Sequence, residues 1–153
     1  MPNGLTTCVR SSPSFASARP TALQILGYSG TFDAAYYLKA NPDLKNMGTA
    51  VLRHYHHCGW KEGRKPNPFF DPRWYLQQYP DVLGDPLLHY VTAGEKEGRK
   101  PIMWFDPAWY TQTYTIPEGM LALAHYLLNR HTQILQPIAE FDPAFYLKAY
   151  PDV

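Results

Sequence analysis

Hydrophobic and polar positions in residues 31 to 153 follow one short pattern that recurs along the chain. In its clearest copy, "FDPRWYLQQYPDV" at residues 70 to 82, Phe precedes an Asp-Pro pair, and Tyr75, Leu76 and Tyr79 fall on one helical face. Asp is a preferred helix N-cap and Pro suits the first helical position, so the phrase predicts a helix start. Pro80 ends the helix, because the residue before a proline avoids the α conformation.

The same helix start occurs at four places, and in each copy a Tyr follows the Phe at the spacing of a hydrophobic staple. The capping aspartates lie 38, 35 and 36 residues apart, and such a period is typical of a repeat array. The predicted caps are Asp33, Asp71, Asp106 and Asp142.

A second helix is predicted in each unit, because a His-Tyr pair recurs with the same period, at His54-Tyr55, His89-Tyr90 and His125-Tyr126. A leucine three residues before each tyrosine shares its inward face. Asp85 caps this helix in the second unit, and Thr49 is the predicted cap in the first. In the polar turns that follow, Gly63 and Gly98 are predicted to take positive φ angles.

Helices this short are marginal alone, so neighbouring units must bury one another's aromatic side chains. We therefore predict an all-α array of two-helix repeats of about 36 residues each. The units span residues 31 to 66, 67 to 101 and 102 to 138, with a partial fourth at 139 to 153. Residues 1 to 30 are rich in Ser and Arg and predict a flexible, mostly disordered leader, with "TALQILG" (21 to 27) as a candidate helical turn.

Composition narrows the function classes. The formal charge is +1, from 14 basic and 13 acidic residues, so no strong field favours nucleic acid or an anionic membrane. No apolar stretch is long enough for a membrane span. Two cysteines among 153 residues do not make a disulfide scaffold and favour a reducing compartment. The predicted localisation is cytoplasmic, with the cell surface as the alternative.

The phrases in "FDPRWYLQQYPDV" and "GDPLLHYVTAGEKEGRKP" resemble a bacterial repeat family found in proteins of surface-polysaccharide synthesis, including rhamnan-synthesis-like glycosyltransferase proteins, and in some large cell-surface proteins. The resemblance covers residues 31 to 153. It departs in the first unit, where Ala34 replaces Pro, and in the third, which lacks both Pro-Asp-Val and Glu-Gly-Arg.

The resemblance implies a non-catalytic helical module, acting as a spacer or docking surface for a protein partner or a covalently adjacent glycosyltransferase domain. A membrane-peripheral place at the cytoplasmic face and contact with a glycan fit the same family. Two alternatives stay open. The first alternative is a calcium- or carbohydrate-binding repeat of a secreted or cell-surface protein. The second is the N-terminal fragment of a glycosyltransferase polypeptide.

Catalytic chemistry finds little support in the sequence. No serine follows Ser29, which excludes a Ser/His/Asp hydrolase in the repeats, and phosphate-binding glycine loops are absent. No enzymatic constellation and no cofactor are therefore predicted. His54, His57 and Cys58 share a helical face that could begin a zinc or copper site, but further ligands are lacking and a buried thiol is the simpler expectation for Cys58.

Four other side chains are candidates for ligand binding. Arg64 and Arg99, in the two "EGRKP" turns, carry guanidinium groups that suit sugar or phosphate oxygens, although surface turn pairs with Glu62 and Glu97 are the simpler interpretation. Trp74 and Trp109 occupy equivalent helix positions from which they could stack on a sugar. Calcium ligation by the four repeated aspartates is the weaker interpretation, since helix capping explains them and no calcium-binding loop is present.

Overall fold

The computed structural model describes residues 19 to 141, 148 and 149, and regular structure in these residues is helical, without a strand. The predicted all-helical character is confirmed. The described part contains seven α-helices: α1 (Ala22–Tyr28), α2 (Ala34–Ala40), α3 (Val51–His54), α4 (Pro72–Gln78), α5 (Pro86–His89), α6 (Pro107–Thr113) and α7 (Ala122–Asn129). The predicted fourth helix start, with Asp142, lies outside the described residues.

Helices α2, α4 and α6 begin as the sequence predicts. The carboxylates of Asp33, Asp71 and Asp106 each accept a hydrogen bond from a backbone N–H in the first turn. The Phe before each cap packs on the Tyr of the following turn, with ring centroids 5.2 to 5.3 Å apart. Helix α4 ends at Gln78, close to the predicted stop at Pro80.

Helix α1 lies within the segment predicted to be a flexible leader. The Thr21 hydroxyl accepts from the Gln24 N–H, and the Gln24 side chain accepts from the Thr21 N–H, which makes a complete capping box. Leu26 is fully buried, and α1 packs on α3 and α5. Capping and the burial of Leu26 thus give a short helix at the place in the predicted leader where "TALQILG" suggested a helical turn.

The second helices are shorter than predicted and continue as wider turns. α3 and α5 pass into π-helical turns, Tyr55–Gly59 and Tyr90–Gly94, whereas α7 stays α-helical to Asn129. The predicted cap Thr49 is wrong, since it lies inside a 3-10 turn, Gly48–Ala50, that precedes α3. A second 3-10 turn, Pro42–Leu44, follows α2.

The aromatic and leucine positions of these helices form the core. Tyr55, Leu87, Tyr90 and Leu123 are fully buried, as their predicted inward face requires. Gly63 and Gly98 have φ angles of 78° and 79°, which confirms the predicted left-handed turns.

Backbone hydrogen bonds join both ends of each predicted unit. The N–H groups of the three capping aspartates donate to proline carbonyls at the far end of the unit, at 3.0 to 3.2 Å. The donor and acceptor pairs are Asp33 with Pro66, Asp71 with Pro101 and Asp106 with Pro137. The last residues of each unit therefore lie beside its first helix start.

Helix α7 packs back on earlier parts of the chain. The Tyr126 ring meets the Phe69 ring edge-on at 4.8 Å, and the Arg130 guanidinium lies 5.2 Å from the same Phe69 ring. Gly30 approaches Ala124 so closely that a side chain at Gly30 would contact the Ala124 methyl group at 3.0 Å. Residues from all three predicted units therefore share one core.

None of the helices in the described residues combines the length and the apolar character that crossing a membrane requires.

Candidate functional site

The recurring histidines are bound by the first-helix tyrosines. The hydroxyl groups of Tyr37, Tyr75 and Tyr110 hydrogen-bond the Nδ1 atoms of the histidines at 2.7 to 3.0 Å. Their partners are His54, His89 and His125, in that order. Burial raises the pKa of Tyr37 to about 12 and raises those of Tyr75 and Tyr110 as well. The three pairs thus link the first and second helices through part-buried hydrogen bonds.

Two candidate ligand-binding residues, Arg64 and Arg99, bind within the protein. Arg99 makes two bonds to the Asp81 carboxylate, at 2.8 and 3.0 Å, and one to Glu97 at 2.7 Å. Arg64 binds Asp43 and Glu62 in the same way. The hydrogen bonds from Arg64 and Arg99 hold the pKa values of Asp43 and Asp81, respectively, below their ordinary values. The arrangement is a clasp between the end of the first helix and the turn after the second.

Both partners of this clasp are missing from the third predicted unit. "TYTIPEG" lacks the aspartate that Asp43 and Asp81 supply, and "NRHTQILQP" lacks the Glu-Gly-Arg sequence that supplies Arg64 and Arg99. The third predicted unit therefore lacks the clasp altogether, because both the aspartate and the arginine are missing. A neighbouring bond remains, because the Tyr114 hydroxyl accepts from the Gln136 N–H at 2.9 Å as Tyr79 accepts from Lys100.

The candidate tryptophans lie half-buried at equivalent positions. Trp74 meets the Tyr79 ring at 6.5 Å and Trp109 meets the Tyr114 ring at 6.4 Å, both edge-on. The Arg99 guanidinium also packs on the Tyr79 ring, 4.9 Å from its centroid. These side chains serve the packing of their own units and leave part of each indole open to solvent.

The weak metal candidates do not come together. His54 Nδ1 is bound by Tyr37, and the exposed Cys58 carries a free thiol, so the expected burial of that thiol is wrong. His57 packs its ring on His56, at 5.2 Å between centroids. Among the described residues no group of three or more His, Cys, Asp and Glu side chains is placed to hold a metal ion.

An ion pair that was not predicted joins the first two units. His56 Nδ1 lies 2.8 Å from Asp85 Oδ2, and the Asp85 side chain is 1% exposed. Asp85 Oδ1 also caps α5 by accepting from the N–H groups of Leu87 and Leu88. The buried Tyr55 hydroxyl belongs to the same cluster, since burial and the neighbouring Asp85 carboxylate both raise its pKa. The sequence signalled Asp85 as a cap but not its partner.

A second unpredicted carboxylate, Glu95, joins the second unit to the third. Helix α7 follows Leu121, which has no capping oxygen, and Glu95 instead accepts from the N–H groups of Ala122 and Leu123 at 2.6 and 3.2 Å. The Tyr90 hydroxyl also donates to Glu95, at 2.6 Å. Leu121 at the cap position where the second unit has Asp85 is the signal that could have revealed this contact.

A groove of about 1070 Å³ lies between α1, the start of α2, the turn after α5 and the segment that leads into α7. Apolar side chains from each of these elements line it: Ile25, Phe32, Val91, Ala124 and Leu127. Carboxylates outnumber cations along the groove, with Asp33, Glu95 and Glu118 against Lys96.

Two large apolar side chains stand at the groove rim. Tyr28 is 88% exposed and Leu128 is 69% exposed. Large apolar groups gathered along a groove are typical of interaction sites rather than of ordinary surface. Comparison of the chain with protein-family models, with curated proteins and with solved structures found no match in any of the three.

Proposed function

We propose that this chain is an array of two-helix repeats and works as a non-catalytic docking module for a protein partner. The recurrence of the tyrosine–histidine bond in three units supports the repeat organisation, because each bond joins a first helix to the second helix of the same unit. The Asp-to-Pro backbone bonds close the same three units. Polar groups that a catalyst would need for chemistry, such as His54 and Arg99, are bound within the protein.

The observation that carries the docking function is the groove beside α1 and α7. Its apolar lining and its excess of carboxylates suit a short helix that has an apolar face and basic residues on its edge. The chain itself provides a precedent for the size, since the seven-residue helix α1 packs on α3 and α5 through Leu26. We propose that the groove receives such a helix from the partner.

The resemblance of the repeat phrases names the partner class. A glycosyltransferase of surface-polysaccharide synthesis, either separate or joined to this chain, is the proposed partner. The module would then act at the cytoplasmic face of the membrane, without a membrane span of its own in the described residues.

The binding test uses two synthetic amphipathic peptides with the same leucine-alanine face, one with lysines and one with glutamates on the polar face. Nuclear magnetic resonance spectra of the protein should shift at Val91, Ala124 and Leu128 with the lysine peptide and stay unchanged with the glutamate peptide. Leu128→Glu should abolish the shifts. Leu83→Glu, at a 91% exposed leucine away from the groove, should leave them intact. Equal binding of both peptides, or binding that survives Leu128→Glu, would contradict the proposal.

The partner test uses a photo-reactive amino acid at Leu128, or at Leu83 as the matched control, in the native cell. Cross-links to a glycosyltransferase from Leu128 and not from Leu83 are expected. Equal cross-linking from both positions would reject the groove. A melting temperature that rises with millimolar calcium would instead favour the calcium-binding alternative. Resonance shifts at the groove residues on addition of an oligosaccharide would favour the carbohydrate-binding alternative.

A further inference from the structure

We propose that His56 and Asp85 form a pH-sensitive latch between the turn that follows α3 and the start of α5. The latch joins the first two predicted units and does not depend on the proposed docking function. It holds when His56 is protonated and weakens when His56 loses its proton.

The geometry places an ionisable pair across a contact between two segments. Asp85 Oδ2 and His56 Nδ1 are 2.8 Å apart, although the residues are far apart in sequence. The Asp85 side chain is 1% exposed, whereas the His56 side chain is 20% exposed. The carboxylate is thus removed from water while its partner can still exchange a proton with solvent.

The groups around the pair leave His56 as the cation that faces this carboxylate. From the α5 side, the N–H groups of Leu87 and Leu88 donate to Asp85 Oδ1. From the turn after α3, the neutral Tyr55 hydroxyl faces the carboxylate, and His57 packs on the outer side of His56. Trp60 Nε1 donates to the His56 carbonyl oxygen at 2.8 Å and holds the turn in place.

The direction of the pH dependence follows from burial. Burial raises the pKa of Asp85, and the bond to His56 offsets part of that rise. A raised carboxyl pKa means that ionised Asp85 costs stability once the pH exceeds its folded-state pKa. Protonated His56 offsets this cost with its charge. Once the His56 ring is neutral, the carboxylate stays buried beside an uncharged partner and the latch weakens.

The first test compares thermal unfolding of the wild-type protein and His56→Gln at about pH 5.5 and about pH 8, on either side of the histidine range. Glutamine keeps an uncharged hydrogen-bond donor. We expect the wild-type protein to melt about 3 °C or more above the variant at the acidic pH and at nearly the same temperature at the alkaline pH. His57→Gln, at an exposed position, is the matched control and should retain the wild-type profile. A difference between wild type and His56→Gln that is the same at both pH values would overturn the proposal.

The second test does not depend on the stability of a His56 variant. The side-chain resonances of His56 are titrated in the wild-type protein and in Asp85→Asn, which keeps an oxygen to cap α5. The pKa of His56 should fall in Asp85→Asn, while the pKa of His57 should stay unchanged. An unchanged His56 pKa would show that the pair carries no charge coupling, and the latch would be rejected.

Discussion

Two tyrosine hydroxyl groups, those of Tyr37 and Tyr75, lie so close to a facing helical turn that only glycine fits opposite them. Tyr37 and Tyr75 point their hydroxyl groups at Gly59 and Gly94, where any Cβ atom would collide with the hydroxyl oxygen. Both glycines end the π-helical turns. The glycines therefore allow the close approach of the tyrosine hydroxyl groups.

Gly94→Ala is predicted to destabilise the protein by about 1 to 3 kcal/mol, because the added methyl group must displace the Tyr75 hydroxyl from its bond to His89. Chemical denaturation measures the loss, and the His89 resonances should shift. Gly27→Ala is the control. Its methyl group would lie 3.7 Å from Leu52, an ordinary contact, and alanine favours the helix, so this variant should be as stable as the wild type or more stable. Equal effects at the two positions would contradict the interpretation.

Residue roles were predictable when they depended on near neighbours. The caps Asp33, Asp71 and Asp106 bond to N–H groups two or three positions away, so the local phrase was sufficient. The pairing of Arg99 with Glu97 was predictable from the turn, but its bond to Asp81 was not, because Asp81 lies at the end of the first helix, beyond a complete second helix. A guanidinium in a polar turn gives the same local signal whether it binds a ligand or an internal carboxylate.

At the scale of helices, the same job is done by different residues in different units. Asp85 caps its own helix, whereas α7 is capped by Glu95 from the preceding unit. Buried tyrosines of the preceding unit face both carboxylates, Tyr55 at Asp85 and Tyr90 at Glu95. A carboxylate at this junction is therefore the constant feature, and its sequence position is not.

Glu95→Gln is predicted to cost about 1 kcal/mol, because a neutral amide caps the α7 start less well than a carboxylate. Hydrogen exchange of the Ala122 and Leu123 amides should become faster, which is the direct measurement. Adding Leu121→Asp should restore slow exchange by supplying the cap locally.

Glu97→Gln, at an exposed partner of Arg99, is the control for Glu95→Gln and should leave those two amides unaffected. If Leu121→Asp failed to slow exchange in the Glu95→Gln protein, the cap would not be the reason for the loss.

The positions at which helices start were easier to predict from the sequence than the lengths and turn types of the helices. Period and capping indicated α2, α4 and α6 correctly, but the π-helical turns after α3 and α5 left no mark in the hydrophobic pattern. They depend on tertiary contacts of Gly59 and Gly94 with tyrosines of another helix. The sequence indicated only a helical turn at the place of α1, because the Ser- and Arg-rich surroundings outweighed the short apolar run with Leu26.

For the whole molecule, stability depends on contacts between predicted units. Tyr90 lies at the centre, with ring centroids of Phe70 and Tyr75 at 5.8 and 6.1 Å and its hydroxyl on Glu95. Helix α7 adds contacts to Phe69 in the second predicted unit and to Gly30, which precedes the first. Units connected in this way are expected to unfold together.

Tyr90→Ala is predicted to cost on the order of 3 kcal/mol or more, because it empties a fully buried site and leaves Glu95 without its tyrosine partner. Denaturation followed by tryptophan fluorescence and by circular dichroism should show one shared transition that moves to lower denaturant. Lys96→Ala, at an exposed position nearby, should change stability by less than about 0.5 kcal/mol. Separate transitions in the two signals would contradict cooperative unfolding of the units.

The proline carbonyls that receive the aspartate N–H groups also determine where the chain can be divided. A version shortened directly after Pro101 retains the acceptor for Asp71, whereas one shortened a few residues earlier loses it and uncovers the first turn of α4. Junctions placed after Pro66, Pro101 or Pro137 would thus leave each piece with its own closing bond. A junction directly after a capping aspartate would separate its N–H group from the proline carbonyl that accepts it.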